Sequence, residues 1–115
     1  MTHPAFQPNA VAVITGGTSG IGLATAQRLA AMSLRLVIVD IREDLLEPAA
    51  EHLRQMGAHE VMASYTDVSD REALVELEAL VSERFGGTDI LMNNAGIQPG
   101  STILDGSENW LHILG

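Results

Sequence analysis

The stretch Val11-Ala12-Val13-Ile14-Thr15-Gly16-Gly17-Thr18-Ser19-Gly20-Ile21-Gly22 decides how this 115-residue chain folds. Its first part, Val11 to Thr15, is almost wholly apolar, as suits a strand buried on both faces. Its second part is a glycine-rich turn that opens a helical pattern from about Gly20 to Met32. Along that pattern Gly22, Ala26, Leu29 and Ala30 share one face, and small residues there let a helix lie close to a sheet. Strand, glycine turn and helix in this order favour anions. Glycine permits the tight bend and lets a phosphate approach the backbone. The helix start adds unpaired N–H groups and a partial positive charge.

Outward from this unit the pattern repeats. Leu36 to Asp40 reads as a second strand. Glu43 to Met56 is helical, with Leu45, Ala49 and Leu53 in register, and Pro48 requires the helix either to start just before it or to bend there. Val61 to Tyr65 is a third strand. Ser69 and Glu72 have capping-box spacing ahead of a third helix, whose stripe of Leu74, Leu77, Val81 and Phe85 is the clearest periodicity in the chain. Gly86 and Gly87 stop it. Ile90 to Asn93 forms a fourth strand, and a last helix begins near Ser107. Strands alternating with helices predict an α/β fold, a Rossmann-type doubly wound parallel sheet that is incomplete, with four strands in the order 3-2-1-4. Residues 1–10 form an N-terminal tail and 11–115 the partial domain. In that order the fourth strand is an exposed apolar edge, which predicts aggregation or pairing with a second copy.

Composition narrows the function. The net charge is −9 and the six basic residues are all Arg, scattered along the chain, so nucleic acid is not an expected partner. The absence of Cys excludes disulfides and thiolate metal sites. No apolar run reaches the roughly 18 residues of a membrane helix, and Met1 to Asn9 lack the pattern of a signal peptide. No membrane partner and a cytoplasmic location are therefore the expectation. The His residues show no metal-ligand spacing, and His52 and His59 belong on a solvated surface. Met32 and Met92 read as core filler.

The glycine turn is not a nucleotide triphosphate loop, because Leu23 stands where that motif requires Lys. It also departs from G-x-G-x-x-G, its glycines falling at Gly16, Gly20 and Gly22. Asp40 closes the second strand about 20 residues beyond the turn, where a carboxylate can accept hydrogen bonds from the adenosine ribose. The same charge would repel a 2′-phosphate: two unit charges 4 Å apart are worth about 4 kcal/mol at a surface-like dielectric, before discounting for exposure and salt. Thr18, Ser19 and Ile41 offer no basic compensation, and Arg42 reads as a solvated residue at a helix start. NAD is therefore expected over NADP. Asp40 can serve as a helix N-cap at the same time.

Taken together, these motifs resemble the short-chain dehydrogenase/reductase family. Thr15 to Gly22, TGGTSGIG, is similar to its TGxxxGxG element. Asn93-Asn94-Ala95-Gly96 looks like its NNAG motif, Asp67-Val68 like its adenine-holding pair, and Trp110 sits where the family often has one. The resemblance covers nearly the whole chain from Val11. It implies that Gly16, Gly20 and Gly22 shape the phosphate turn, with Thr18 a cofactor-binding residue in the same loop. Ser19 and the Ile21 backbone would meet the pyrophosphate, Asp40 the ribose, and Asp67 with Val68 the adenine. Asn93 would anchor the fourth strand, while Asn94, Ala95 and Gly96 would line the cleft.

The family's hydride transfer uses a Tyr assisted by a Lys, a Ser and an Asn. This chain has no Lys and hence no Y-x-x-x-K. Its one Tyr, Tyr65, reads as core or cleft lining. The resemblance thus implies the front portion of an NAD-dependent oxidoreductase, inactive alone, whose alcohol or carbonyl substrate would need downstream residues. A non-catalytic dinucleotide sensor and an inactive gene fragment are the alternatives, and a homo-oligomer is open.

Overall fold

The computed structural model describes residues 6–94, 100–103 and 110. Its elements are β1 (Val11–Thr15), α1 (Gly20–Ala31), β2 (Arg35–Asp40), α2 (Glu43–Gln55), β3 (Glu60–Tyr65), α3 (Arg71–Phe85), β4 (Ile90–Asn93) and β5 (Gly100–Ile103). β1 lies between β2 and β4 and is parallel to both, and β3 is parallel to β2 on its far side. The parallel strands therefore run 3-2-1-4, the doubly wound order expected from the alternation of strands and helices.

Side-chain alternation splits the interior into two layers. From β1 and β2, Ala12, Ile14, Leu36 and Ile38 pack with Ala26, Leu29 and Ala30 of α1 and with Leu46, Ala50 and Leu53 of α2. Their neighbours Val11, Val13, Val37 and Val39 face the opposite way, against Leu74, Leu77, Val81 and Phe85 of α3. Helices thus cover both faces, which is why β1 is apolar at every position but the last and buried throughout. Trp110 is buried in the second layer, and its backbone N–H donates to Glu78 of α3 at 2.9 Å. The chain ahead of β1 is also tied in: Phe6 packs against the first layer and Asn9 N–H donates to the Ser33 carbonyl.

The structure corrects several details. β4 is not an edge, because Gly100–Ile103 runs antiparallel beside it, with Gly100 opposite Asn93 and Ile103 opposite Ile90. The free edge on which self-pairing was expected is occupied. Gly-Ser-Thr-Ile carries too little apolar pattern to signal a strand. In α2, Ala49 and Leu53 are buried as the sequence register predicts, but Leu46 is buried in place of Leu45, which is only half-buried. That helix begins ahead of Pro48 and runs through it.

The cap of α3 is Asp70, whose carboxylate accepts from Ala73 N–H at 3.2 Å, and not Ser69. Ser69 is engaged elsewhere: its N–H and hydroxyl both donate to Asp67, at 2.9 and 2.7 Å. Gly86 ends α3 with φ +83°, a left-handed cap that glycine adopts without steric cost. Met32 is exposed where core was expected. Met92 is partly buried against the first layer.

Candidate functional site

The C-terminal ends of β1, β2 and β4 converge where strand order reverses about β1, the position at which open α/β sheets form a crevice. Three local features build it. The first is the turn after β1. Gly16 and Gly20 have φ of +67° and +57°, left-handed backbone that favours glycine. Gly22 is needed for a different reason: a Cβ there would lie 2.1 Å from the Gly16 carbonyl oxygen and 2.8 Å from Asn94 Nδ2. The missing side chain is what lets α1 seat against the turn.

The second feature is a seam between β1 and β4, whose last residues Thr15 and Asn93 are partners in register. The buried Thr15 hydroxyl accepts Asn94 N–H at 2.9 Å and lies 3.2 Å from the Asn93 side-chain oxygen. Asn94 Nδ2 donates to the Gly16 carbonyl at 3.4 Å. Thr15 at the end of β1 and Asn94 just past β4 thereby fix the turn that follows β1.

The third is Asp40, at the end of β2 and 8% exposed. Its Oδ2 accepts from the Thr18 hydroxyl at 2.6 Å and from Thr18 N–H at 3.3 Å, and its Oδ1 accepts from Arg42 N–H at 3.1 Å. Asp40 is not the helix cap, since Arg42 holds that position. The Arg42 guanidinium instead turns across the crevice to the Ser19 hydroxyl at 3.4 Å.

These features border an open cleft of about 550 Å³ lined by Gly16, Ser19, Gly20, Ile21, Asp40, Ile41, Arg42 and Asn94. A smaller hollow of about 90 Å³ adjoins it, lined by Val39, Asp40, Ile41, Thr66, Asp67 and Val68. Asp40 and Ile41 belong to both. The Asp67 carboxyl is held below the usual carboxylate range by the hydroxyl and then the N–H of Ser69.

Of the residues selected from sequence, Gly16, Ser19, Gly20, Ile21, Asp40 and Asn94 share the cleft, and Asp67 and Val68 line the hollow beside it. Thr18 does not line either one; it is buried, with its hydroxyl turned to Asp40. Gly22 is buried between α1 and the turn. Ala95 and Gly96 lie outside the described residues, as does the expected start of a helix at Ser107. Tyr65 is 63% exposed, so it is not core and lines neither space. Sequence reasoning missed Ile41, Arg42 and Thr66 as lining residues. None carries a motif, and which way each points depends on how the chain leaves β2 and β3.

The donor set suits a dinucleotide. The first amides of a helix have no partner within it, and at α1 they open onto the cleft through Ser19, Gly20 and Ile21. The Ser19 side chain makes no capping bond, and a Cβ on Gly20 would meet nothing within 4 Å, so the backbone is open on that side. Open amides at a helix start can hold a diphosphate, and a strand-end carboxylate such as that of Asp40 can accept from a ribose. Among the described residues, no cluster of His, Asp and Glu could hold a metal ion, and no helix is long and apolar enough to cross a membrane.

A model of the short chain dehydrogenase family matches residues 10–112. Meso-2,3-butanediol dehydrogenase of Serratia marcescens is 35% identical over 108 residues, covering 93% of this chain and 42% of that protein. The crystal structure of NAD+-bound xylitol dehydrogenase superposes with a TM-score of 0.74 at 36% identity, over 79% of this chain and 35% of the other. L-sorbose reductase from Gluconobacter frateurii, complexed with NADPH and L-sorbose, gives a TM-score of 0.73 at 35% identity, over 95% of this chain and 40% of the other. The chain spans about two fifths of the length of such relatives.

Proposed function

The chain belongs to the short chain dehydrogenase family, and from that premise we propose that it is the NAD-binding portion of an oxidoreductase acting on an alcohol or carbonyl. One observation carries the reading: the glycine turn, Asp40 and Asn94 line a single cleft although they are far apart in sequence. In this reading the amides at the start of α1, with Ser19 and Ile21, hold the diphosphate. Asp40 takes the adenosine ribose, Asp67 and Val68 flank the adenine, and Asn94, followed by Ala95 and Gly96, lines the nicotinamide side. A bound nicotinamide would supply the hydride chemistry. The chain's own residues bind and orient it.

The choice of NAD over NADP rests on charge. Among the described residues Asp40 is the one carboxylate lining the main cleft, and a 2′-phosphate beside it would be repelled. Arg42 lines the same cleft but is directed at Ser19, on the diphosphate side. We hold that this chain binds dinucleotide without turnover, because no Lys is present to form the family's Tyr–Lys pair. Calorimetric titration with NAD and NADP tests both parts. NAD should bind about tenfold tighter or better. Tighter NADP binding would refute the role given to Asp40; binding of neither would refute the cofactor reading altogether.

A further inference from the structure

The Asp40 carboxylate is more constrained than a ribose-binding group needs to be. Each carboxylate oxygen has two acceptor positions. Both on Oδ2 are filled from Thr18, by its hydroxyl at 2.6 Å and its N–H at 3.3 Å, while Arg42 N–H fills one on Oδ1. A 2.6 Å contact is in the range of short, charge-assisted hydrogen bonds. Thr18 itself is 6% exposed and absent from the walls of the cleft, so its hydroxyl is not placed to meet a ligand. It lies in the turn between Gly17 and Ser19 and so couples the diphosphate end of the cleft to the ribose end.

We infer that Thr18 is a specificity-setting positioning residue, whose hydroxyl clamps Oδ2 of Asp40 so that Oδ1 is the oxygen offered to the ribose. The inference rests on the dinucleotide reading of the cleft and deepens it. With the clamp in place, the carboxylate cannot rotate away from a 2′-phosphate. The same restraint means that no side-chain freedom is lost when a ribose hydroxyl binds. Removing the hydroxyl takes away the shortest of the three bonds and leaves only the Thr18 and Arg42 N–H donors, which loosens the carboxylate, weakens NAD and relaxes the exclusion of NADP.

The test compares Thr18→Val, which keeps the branched shape, with Thr18→Ser, which keeps the hydroxyl. Each is titrated with NAD and with NADP, and thermal melting is recorded alongside. In Thr18→Val the NAD-to-NADP affinity ratio should fall about tenfold, the scale expected for loss of a hydrogen bond to a charged group. Thr18→Ser should restore the ratio. A merely structural role would lower melting temperature and both affinities together, leaving the ratio unchanged, and that result overturns the inference. Failure of Thr18→Ser to restore the ratio overturns it too. Should Thr18→Val not fold, Thr18→Ala gives the same comparison, and a wild-type ratio there is equally decisive. The two readings fail differently. If the unmodified chain binds neither dinucleotide, the cofactor proposal falls and this one with it; if it prefers NAD and Thr18→Val does so equally, only the Thr18 assignment falls.

Discussion

Gly22→Ala should destabilise the chain although it replaces glycine by the best helix former. An ordinary C···O approach is about 3.3 Å, whereas a Cβ on Gly22 would lie 2.1 Å from the Gly16 carbonyl oxygen. Helix and turn would have to part by about 1 Å, the difference between these distances. Overpacking of this kind costs about 1–3 kcal/mol. The contact is with backbone, which puts the cost in the upper half of that range. Relief of the glycine penalty inside a helix returns about 0.5–1 kcal/mol. The net loss is about 1–2 kcal/mol, or a fall in Tm of about 5–10 °C for a domain of this size. Urea unfolding should show a lower midpoint with an unchanged slope. Asn94→Ala removes the 2.8 Å clash but leaves the 2.1 Å one, so it should not rescue the variant. A Gly22→Ala chain as stable as its parent, or one restored by Asn94→Ala, would refute the argument that α1 is seated on the turn by a backbone contact.

Two further outcomes follow from particular packing and capping contacts. Leu46→Ala should cost about 2–3 kcal/mol and Leu45→Ala under about 1 kcal/mol in denaturant unfolding, because Leu46 is 5% exposed and Leu45 only half-buried; the reverse order would restore the register read from sequence. Asp70→Ala should cost about 1 kcal/mol as a lost N-cap, while Ser69→Ala should leave the cap intact and raise the Asp67 pKa towards the usual carboxylate range. Because the folded Asp67 carboxyl titrates below its unfolded value, its contribution to stability is full above the ordinary carboxylate range and is lost as pH falls through the depressed value. A carboxyl-carbon NMR titration unmoved by Ser69→Ala would contradict this.

The order of elements was legible because its signals are local. A strand covered on both faces must be apolar throughout, as Val11 to Ile14 are. A helix against a sheet must repeat near 3.6 residues, as Leu74, Leu77, Val81 and Phe85 do. Details set by competition between neighbours were less legible. Both Ser69 and Asp70 can cap a helix. Asp67 takes the hydroxyl of the first, and Asp70 is left to cap. For Leu45 and Leu46 the choice follows from how α2 leans on the sheet, and their identical side chains carry no record of it.

For the site, a one-dimensional reading could select Gly16, Ser19, Gly20, Asp40 and Asn94, because glycine at a strand-to-helix turn and a carboxylate at a strand end have physical reasons that do not depend on distant residues. That they line one cleft, that β5 covers β4, and that Thr18 faces Asp40 and not the cleft were decided only in three dimensions. Periodicity records which face of an element is buried. It does not record which other element does the burying, or where a hydroxyl finds its acceptor, and both are settled by how the strands pair in the sheet.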